Sequence, residues 1–345
     1  MKKLRAGVIG LGMGQWHAGE WNSNPHAELV AIADQDESRL TQVGEKHKVS
    51  ARYTNALEMI KKESLDVVSV ATPNKSHAPL VIAALKAGCH VLCEKPMAMN
   101  AGEAKAMISA AKKAKRRLMI NFSFRFTPAS WALKKEVDGG ILGDVYFGRT
   151  VWMRRRGMPG FGGWFGTKAL SGGGPLIDLG VHRLDLALWL MGYPKPVWVM
   201  GSTYNHLGSA KARKEHKTFD VEDLAVALIK FDTGASLELT ASWAANIKEN
   251  ELMETRILGT KGGIIQKNLN EGYEFESEIY VERNGYQYDM KPRSINDCPS
   301  SIRHFADCIV NKKPHIASGE EGLIVMQILD AIYKSAKTGK PIRVG

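Results

Sequence analysis

The stretch "LRAGVIGLGMGQWHAGEWNSNPHAELVAIAD", residues 4–34, decides the fold class. An apolar run, Leu4–Ile9, stops at the glycine cluster Gly10, Leu11, Gly12, Met13 and Gly14. A segment of helical character follows, and a second apolar run ends in Asp34, 24 positions after Gly10. Strand, glycine turn, helix and strand in this order form the context a dinucleotide loop needs, because glycines let the backbone approach a pyrophosphate seated on a helix N-terminus. The strict GxGxxG pattern would place glycine where this chain has Gln15, so the glycines alone fit a cofactor loop and a structural turn equally well. Asp34 favours the cofactor. A carboxylate at the end of the second strand accepts from adenosine ribose hydroxyls and repels a 2′-phosphate, so NAD is expected over NADP, with Arg39 just downstream keeping NADP open.

Outward from that stretch, short β-branched runs alternate with helical periodicity through the first 120 or so residues, the pattern of a doubly wound parallel sheet. Strands are expected at Leu4–Ile9, 28–34, 66–71, His90–Glu94 and 118–122, with a weaker one at Ala51–Tyr53. In "SHAPLVIAALKAG" the expected apolar helix face is Leu80, Ile82, Ala83, Ala84 and Leu85. Past Arg125 the texture changes: a helix over 129–138, the strand-like "DVYFGRTVWMRRR", a glycine-rich loop and another helix. From Lys195 an antiparallel sheet is expected from "VWVMGSTYN", "VEDLAVALIKFD", "ASLELTASWAA", "METRILG" and "EIYVERN", separated by turns such as Asp232-Thr233-Gly234 and Gly259-Thr260-Lys261-Gly262. Two helical patterns close the chain, the second stopped by Gly339 and Pro341. At 345 residues the chain exceeds one hydrophobic core, which gives two domains, 1–122 and 123–345.

The formal net charge of +11 favours anionic partners such as phosphorylated cofactors. The densest basic run, Lys112, Lys113, Lys115, Arg116 and Arg117, falls at a helix end, where cations complement the dipole; with no helix-turn-helix signature, nucleic acid is not the expected partner. Cys89, Cys93, Cys298 and Cys308 form no CxxC or zinc pattern and are expected as reduced thiols. The first residues read as a strand and not a signal peptide, and no run reaches the roughly 18 apolar residues of a membrane span. A cytoplasmic protein is the expectation.

Two motifs carry the chemistry. The apolar strand His90–Glu94 runs directly into Lys95 and Pro96, which puts charge at the carboxyl end of a parallel strand, where ligands of open sheets bind. A partly desolvated lysine beside a cationic nicotinamide would have a lowered pKa and would polarise a substrate oxygen; a strand-end salt bridge is the plainer alternative. Pro96 would fix the turn, with a cis bond as one form. The second motif is "SGGGPLIDLGVHRLDLALWLMG", where Pro175 suits a helix first turn and the helix is apolar nearly all round. At about 100° per residue Asp178, His182 and Asp185 fall within roughly 60° of one another, with Arg183 pointing away. Asp and His at i, i+4 facing a glycine loop suit a polarised acid/base; a structural triad and a metal pair are the other readings, the last lacking a third ligand.

Together these segments resemble the glucose-fructose oxidoreductase / inositol dehydrogenase (Gfo/Idh/MocA) family over the whole chain, through "VIGLGMGQWHA", "ATPNKSHAPLVIAALKAGCHVLCEKPMA", "RFTPA", "GGGPLIDLGVHRLDLALWLMG" and "EEGLIVMQILDAIYKSAKTGKPIRV". The resemblance implies a Rossmann domain followed by a domain with an open, mostly antiparallel sheet, through which subunits pair as homodimers or homotetramers. It implies oxidation of a secondary alcohol on a sugar, inositol or related polyol, with His182 removing the proton, Lys95 polarising the oxygen and Asp178 orienting substrate or imidazole. Cofactor contacts are implied for Thr72, Pro73, Asn74, His77, Glu94, Lys95 and Arg125, with His77 equally readable as a capping residue.

Substrate contacts are expected in "TVWMRRRGMPGFGGWFGTK". Trp152 and Trp164 would stack on a sugar face, and Arg154, Arg156 and Lys168 would read a carboxylate or phosphate, while strand alternation sends Arg155 to the other side. The resemblance leaves two further readings open: a redox glycoside hydrolase that retains NAD, and a non-catalytic sugar- or nucleotide-sensing regulator. Lys95, Asp178 and His182 together argue for catalysis.

Overall fold

A computed structural model describes residues 3–293 and 298–345. Contacts divide the chain into two compact units: Met1–Asn121 with Pro299–Leu323, and Phe122–Cys298 with Ile324–Gly345. The sequence reading drew a single boundary after residue 122. The return of residues 299–323 to the first unit follows from pairing along a strand edge: Ile120 donates its N–H to the Ala317 carbonyl (2.9 Å), and Met119 bridges to Ser318.

The N-terminal unit is built on six strands, β1 (Leu4–Ile9), β2 (Ala27–Ala33), β3 (Ala51–Tyr53), β4 (Val67–Val70), β5 (His90–Glu94) and β6 (Leu118–Asn121). Their order is β3-β2-β1-β4-β5-β6, all parallel. All four residues of β4 are buried, as strands covered on both faces must be. The helix His77–Lys86 buries His77, Ala78, Val81, Ala84 and Leu85. Its apolar stripe is thus phased on Ala78 and Val81, three apart, and Leu80 and Ile82 stay half-exposed. Local caps set two of the other helices: Asp36 accepts from the Arg39 N–H at 3.0 Å and Asn100 from the Glu103 N–H at 2.9 Å.

The C-terminal unit carries β7 (Val145–Arg154), β8 (Pro196–Tyr204), β9 (Leu224–Phe231), β10 (Ser236–Ser242), β11 (Glu251–Gly259), β12 (Gly262–Asn268), β13 (Phe275–Arg283), β14 (Tyr286–Met290) and β15 (Ile342–Arg343). Their order is β14-β13-β12-β11-β7-β10-β9-β8-β15; β7 and β10 run parallel and the other pairs antiparallel. Sequence reading left β12, β14 and the two-residue β15 unmarked. β12 opens on two glycines without polar alternation, and β14 is an edge strand exposed over four of its five residues. One sheet face is packed, with Leu237, Leu239, Ala225 and Ile229 almost fully buried; the other presents Arg149, Glu238, Leu228 and Met200. The helix Val181–Leu190 lies on the packed face, with every residue but His182 buried. The Arg183 carbonyl accepts there from Thr150 Oγ1 at 3.3 Å.

Candidate functional site

In the N-terminal unit the glycine loop is shaped by close approach. Gly10 has φ +82°, and a Cβ there would lie 2.6 Å from the Ala71 carbonyl oxygen, so only glycine lets the loops after β1 and β4 touch. Gly12 has no atom within 4 Å of a would-be Cβ, which leaves the loop's outer surface open. The helix Gly14–Asn22 begins there without a side-chain cap, so its first N–H groups face that opening. Asp34 ends β2 and grips the loop: Oδ2 accepts the Leu11 N–H at 2.6 Å and Arg39 Nη1 at 3.2 Å, and Oδ1 accepts the Asp36 N–H at 2.8 Å. Arg39 is therefore bound to Asp34 and also to Asp36 (3.1 Å).

At the carboxyl ends of β5 and β6 a buried knot forms. Glu94 Oε1 accepts from His17 Nε2 at 2.9 Å and from Asn121 Nδ2 at 2.6 Å, and Oε2 accepts the Lys95 N–H at 3.1 Å. Burial pushes the Glu94 pKa up, but the bond and charge of His17, the bond from Asn121 and the charge of Lys95 outweigh it and bring it down to about 2. The Lys95–Pro96 bond is cis. His77 is 1% exposed, with Nδ1 2.8 Å from the Pro96 carbonyl oxygen and Nε2 2.8 Å from that of Thr72. Burial lowers its pKa against the pull of those two carbonyls. The turn that exposes Lys95 is thus tied to the loop after β4.

Glu94 and His77 thus have their polar atoms committed to the protein, His77 in the turn-holding role that the sequence reading set beside a cofactor contact. Arg125, also implied as a cofactor contact, is held by protein partners. It is fully buried in the C-terminal unit, where it grips Asp185 and donates to Tyr193. Thr72, Pro73 and Asn74 follow β4 as expected. Thr72 Oγ1, His17 Nδ1 and Asn121 Oδ1 are buried polar atoms without a hydrogen-bond partner. All three belong to segments at the carboxyl edge of the sheet, and buried polar atoms left unmatched are costly. An open glycine loop, an uncapped helix start, a carboxylate at the end of β2 and these three atoms fit a dinucleotide.

The C-terminal unit places the second motif on an irregular turn. Leu176–Gly180 is a π turn, after which the α-helix Val181–Leu190 begins. Glu222 holds its entrance, Oε1 accepting the N–H groups of Gly174 (2.9 Å) and Leu176 (3.1 Å) and the Tyr333 hydroxyl (2.9 Å). Burial raises the Glu222 pKa and these donors oppose the rise. The glycines are required: a Cβ on Gly173 would meet Tyr333 Oη at 1.9 Å, and one on Gly174 the Glu222 carbonyl oxygen at 2.0 Å.

The π turn changes the geometry expected from regular helix. Asp185, in the α-helix that follows, grips Arg125 and Tyr193. Asp178 Oδ2 accepts from Trp243 Nε1 at 3.0 Å. The His182 ring packs 4.9 Å from the Phe124 ring and 5.7 Å from that of Trp152, centroid to centroid. Arg183, read as pointing away, lies over those same two rings, 4.7 Å from Phe124 and 5.6 Å from Trp152, and also over Phe275. It is fully buried, its Nη1 donates to Gln266 Oε1 at 3.0 Å, and Nε and Nη2 have no partner. Burial lowers its pKa to about 9 despite the charge of Glu251.

Of the expected substrate residues, Trp152 and Arg154 belong to this wall. Arg154 Nε donates to Glu251 Oε1 at 2.8 Å and Nη2 to the Tyr273 hydroxyl at 2.6 Å. Trp152 Nε1 donates to the same Glu251 oxygen at 2.6 Å. Arg156 turns to the Ala245 carbonyl and Asn246 Oδ1, and Trp164 stacks at 3.8 Å on Phe165, whose ring lies 6.4 Å from that of Trp243. Lys168 Nζ lies 5.6 Å from the Tyr333 ring. Glu222, Trp243, Glu251 and Tyr273 were missed; only the charged pair Glu222-Asp223 ahead of an apolar run gave any signal. Among the described residues, no group of three or more His, Cys, Asp or Glu is placed to hold a metal ion, and no helix is long and apolar enough to cross a membrane.

A parallel sheet in the order β3-β2-β1-β4-β5-β6, with a glycine loop after β1 and an acid just past β2, defines a dinucleotide-binding protein of the Rossmann kind. Comparison with known proteins narrows the class. Residues 4–122 match the oxidoreductase family with NAD-binding Rossmann fold, and residues 134–344 match its C-terminal alpha/beta domain. The chain belongs to the Gfo/Idh/MocA oxidoreductase family. It is 34% identical to D-glucoside 3-dehydrogenase of Escherichia coli K12, over 99% of this chain and 97% of that protein. It is 29% identical to myo-inositol 2-dehydrogenase of Thermotoga maritima, over 99% and 98%. Among solved structures, aldose-aldose oxidoreductase from Caulobacter crescentus, complexed with glycerol, superposes with a TM-score of 0.83 at 28% identity, covering 99% of this chain and 100% of that one.

Proposed function

We propose that this NAD-dependent dehydrogenase acts on a secondary alcohol of a sugar or cyclic polyol, with His182 as the base that takes the hydroxyl proton and Lys95 as the cation that polarises the same oxygen. Asp178, bonded to Trp243, orients substrate hydroxyls. When bound, nicotinamide supplies the hydride acceptor. The observation that carries the reading is an imidazole, His182, walled by Phe124 and Trp152 directly after the turn that bears Asp178, in a chain whose other unit is an NAD-binding fold. The names of the glucoside and inositol dehydrogenases it resembles support the substrate class.

NAD is the preferred cofactor in this proposal, because Asp34 presents a carboxylate where a 2′-phosphate would lie and Arg39, the nearest cation, is already paired to it. Subunits associate through the open face of the nine-stranded sheet, where Met200, Tyr204 and Leu228 are exposed apolar groups. The test of the function is a screen of purified protein against hexoses, glycosides, inositols and uronates with NAD and NADP, following reduced nicotinamide optically. Turnover of at least one polyhydroxylated ring is expected. Its absence across the panel overturns the reading, and full activity in His182→Ala or Lys95→Ala removes that residue from the mechanism.

A further inference from the structure

Glu251 is the hub of the wall that also carries His182. Three donors converge on its Oε1: Trp152 Nε1 at 2.6 Å, Arg154 Nε at 2.8 Å and the Tyr273 hydroxyl at 3.2 Å. Oε2 takes none of these bonds. Arg154 in turn has its Nε and Nη2 edge filled by Glu251 and Tyr273, the edge with which an arginine grips a carboxylate bidentately. The sequence alone made Arg154 a reader of anionic substrates. The structure has already given that fork an anion.

The charges around it also cancel. Arg154 and Arg183 are the cations of the cluster; Glu251 and Asp178 are the anions, and each of these carboxylates acts on Arg154. Arg183 is sealed beneath Phe124, Trp152 and Phe275 and cannot present itself to a ligand. The group that does reach the surface is Tyr273, 58% exposed, with its ring 6.1 Å from Trp152 and its hydroxyl between Arg154 and Glu251. Such a surface offers a hydroxyl, an open carboxylate oxygen and an aromatic edge, with no unbalanced positive charge.

We propose that Glu251, together with Arg154 and Tyr273, is the specificity-determining cluster of this enzyme, and that it selects neutral sugars or polyols and rejects sugar acids and sugar phosphates. Glu251 Oε2 accepts a substrate hydroxyl, Tyr273 exchanges a second hydrogen bond, and an anionic group brought to the same place meets a like charge whose counter-ion is already engaged. The proposal rests on the reading above, that the His182 wall receives the alcohol.

The test is the ratio of kcat/KM for a neutral methyl hexoside to that for its matched uronate, with NAD, in the wild type and in Glu251→Gln, Arg154→Met and Tyr273→Phe. The wild type is expected to favour the neutral sugar at least tenfold. Glu251→Gln frees Arg154 and should narrow that ratio at least tenfold, mainly by lowering KM for the uronate. Arg154→Met leaves Glu251 uncompensated and should widen it, and it answers the question if Glu251→Gln does not fold. Tyr273→Phe should raise KM for the neutral sugar severalfold with kcat little changed. An active wild type without the preference, or variants that leave the ratio where it was, overturns the role of the cluster alone. A wild type inactive on every sugar counts instead against the dehydrogenase reading.

Discussion

Arg125 and Asp185, 60 positions apart in the chain, face each other through two parallel hydrogen bonds, Nε to Oδ2 at 2.9 Å and Nη2 to Oδ1 at 2.6 Å, with both side chains sealed from solvent. Tyr193 donates to the same Oδ1 at 2.6 Å and accepts from Arg125. Removing one partner of a buried pair strands the other charge, at a cost of about 3–5 kcal/mol. Asp185→Asn should therefore lower the urea midpoint of the C-terminal unit sharply. Arg125→Met with Asp185→Leu should recover much of the loss, since a matched apolar pair leaves no buried charge. A double variant as weak as the single one would show that the pair stabilises by more than mutual neutralisation.

The proposed base gives a kinetic prediction. His182→Asn keeps a polar side chain of similar reach but cannot accept a proton near neutral pH, and loss of a positioned base typically costs about 10²–10⁴ in rate. A fall of that size in kcat is expected, with NAD affinity unchanged in a fluorescence titration, because His182 lies in the C-terminal unit and the glycine loop in the other.

Cofactor choice should follow Asp34. Asp34→Ala removes the charge that would face a 2′-phosphate and frees Arg39 from one of its two carboxylates, so the NAD-to-NADP ratio of kcat/KM should drop by at least tenfold. The Leu11 N–H also loses its acceptor. NAD affinity should weaken as well, through the loop.

Acid should reveal Glu94. Its folded-state pKa is depressed to about 2 from 4.5, so its contribution to stability is fully present above pH about 4.5 and is lost as pH falls towards about 2. The shift corresponds to about 3 kcal/mol. Calorimetric melts of the wild type should lose stability across that window, whereas Glu94→Gln, weaker at neutral pH, should show a flatter acid limb.

The entrance to the π turn admits no side chain. Gly174→Ala would drive a Cβ to 2.0 Å from the Glu222 carbonyl oxygen, a backbone clash that no rotamer relieves, with an expected cost of about 3 kcal/mol. Gly140→Ala is the control. That residue also has positive φ, yet open space surrounds it, so the expected cost is only about 1 kcal/mol.

The N-terminal unit was legible in the sequence because its signals are local. A glycine loop between two apolar runs, with an acid at a fixed distance, needs no knowledge of distant partners, and β1, β3 and β5 fall on the residues expected. The second unit hid more. Glu251 meets Arg154 because β11 pairs with β7 in a register that sets those two residues opposite each other. Nothing near either residue announces the register. Asp185 was grouped with Asp178 and His182 by position along one helix, which says nothing of the distant arginine it meets, and its partner Arg125 carried a motif that pointed to the cofactor. His77 and Glu94 were found by motif, but the partners that hold their polar atoms, the Thr72 and Pro96 carbonyls for one and His17, Asn121 and the Lys95 N–H for the other, are brought to them only by the folded loops.

The wide turn at Leu176–Gly180 takes up one more residue than an ordinary helical turn. Delete one residue there and the helix runs on in ordinary α pitch, still apolar nearly all round, with Val181–Leu190 kept in place on the sheet and His182 still against Phe124 and Trp152. What turns is the segment before it, by about 100°, and with it Asp178, off Trp243. In this scaffold a single codon therefore sets how that carboxylate stands to the imidazole, and leaves the architecture untouched.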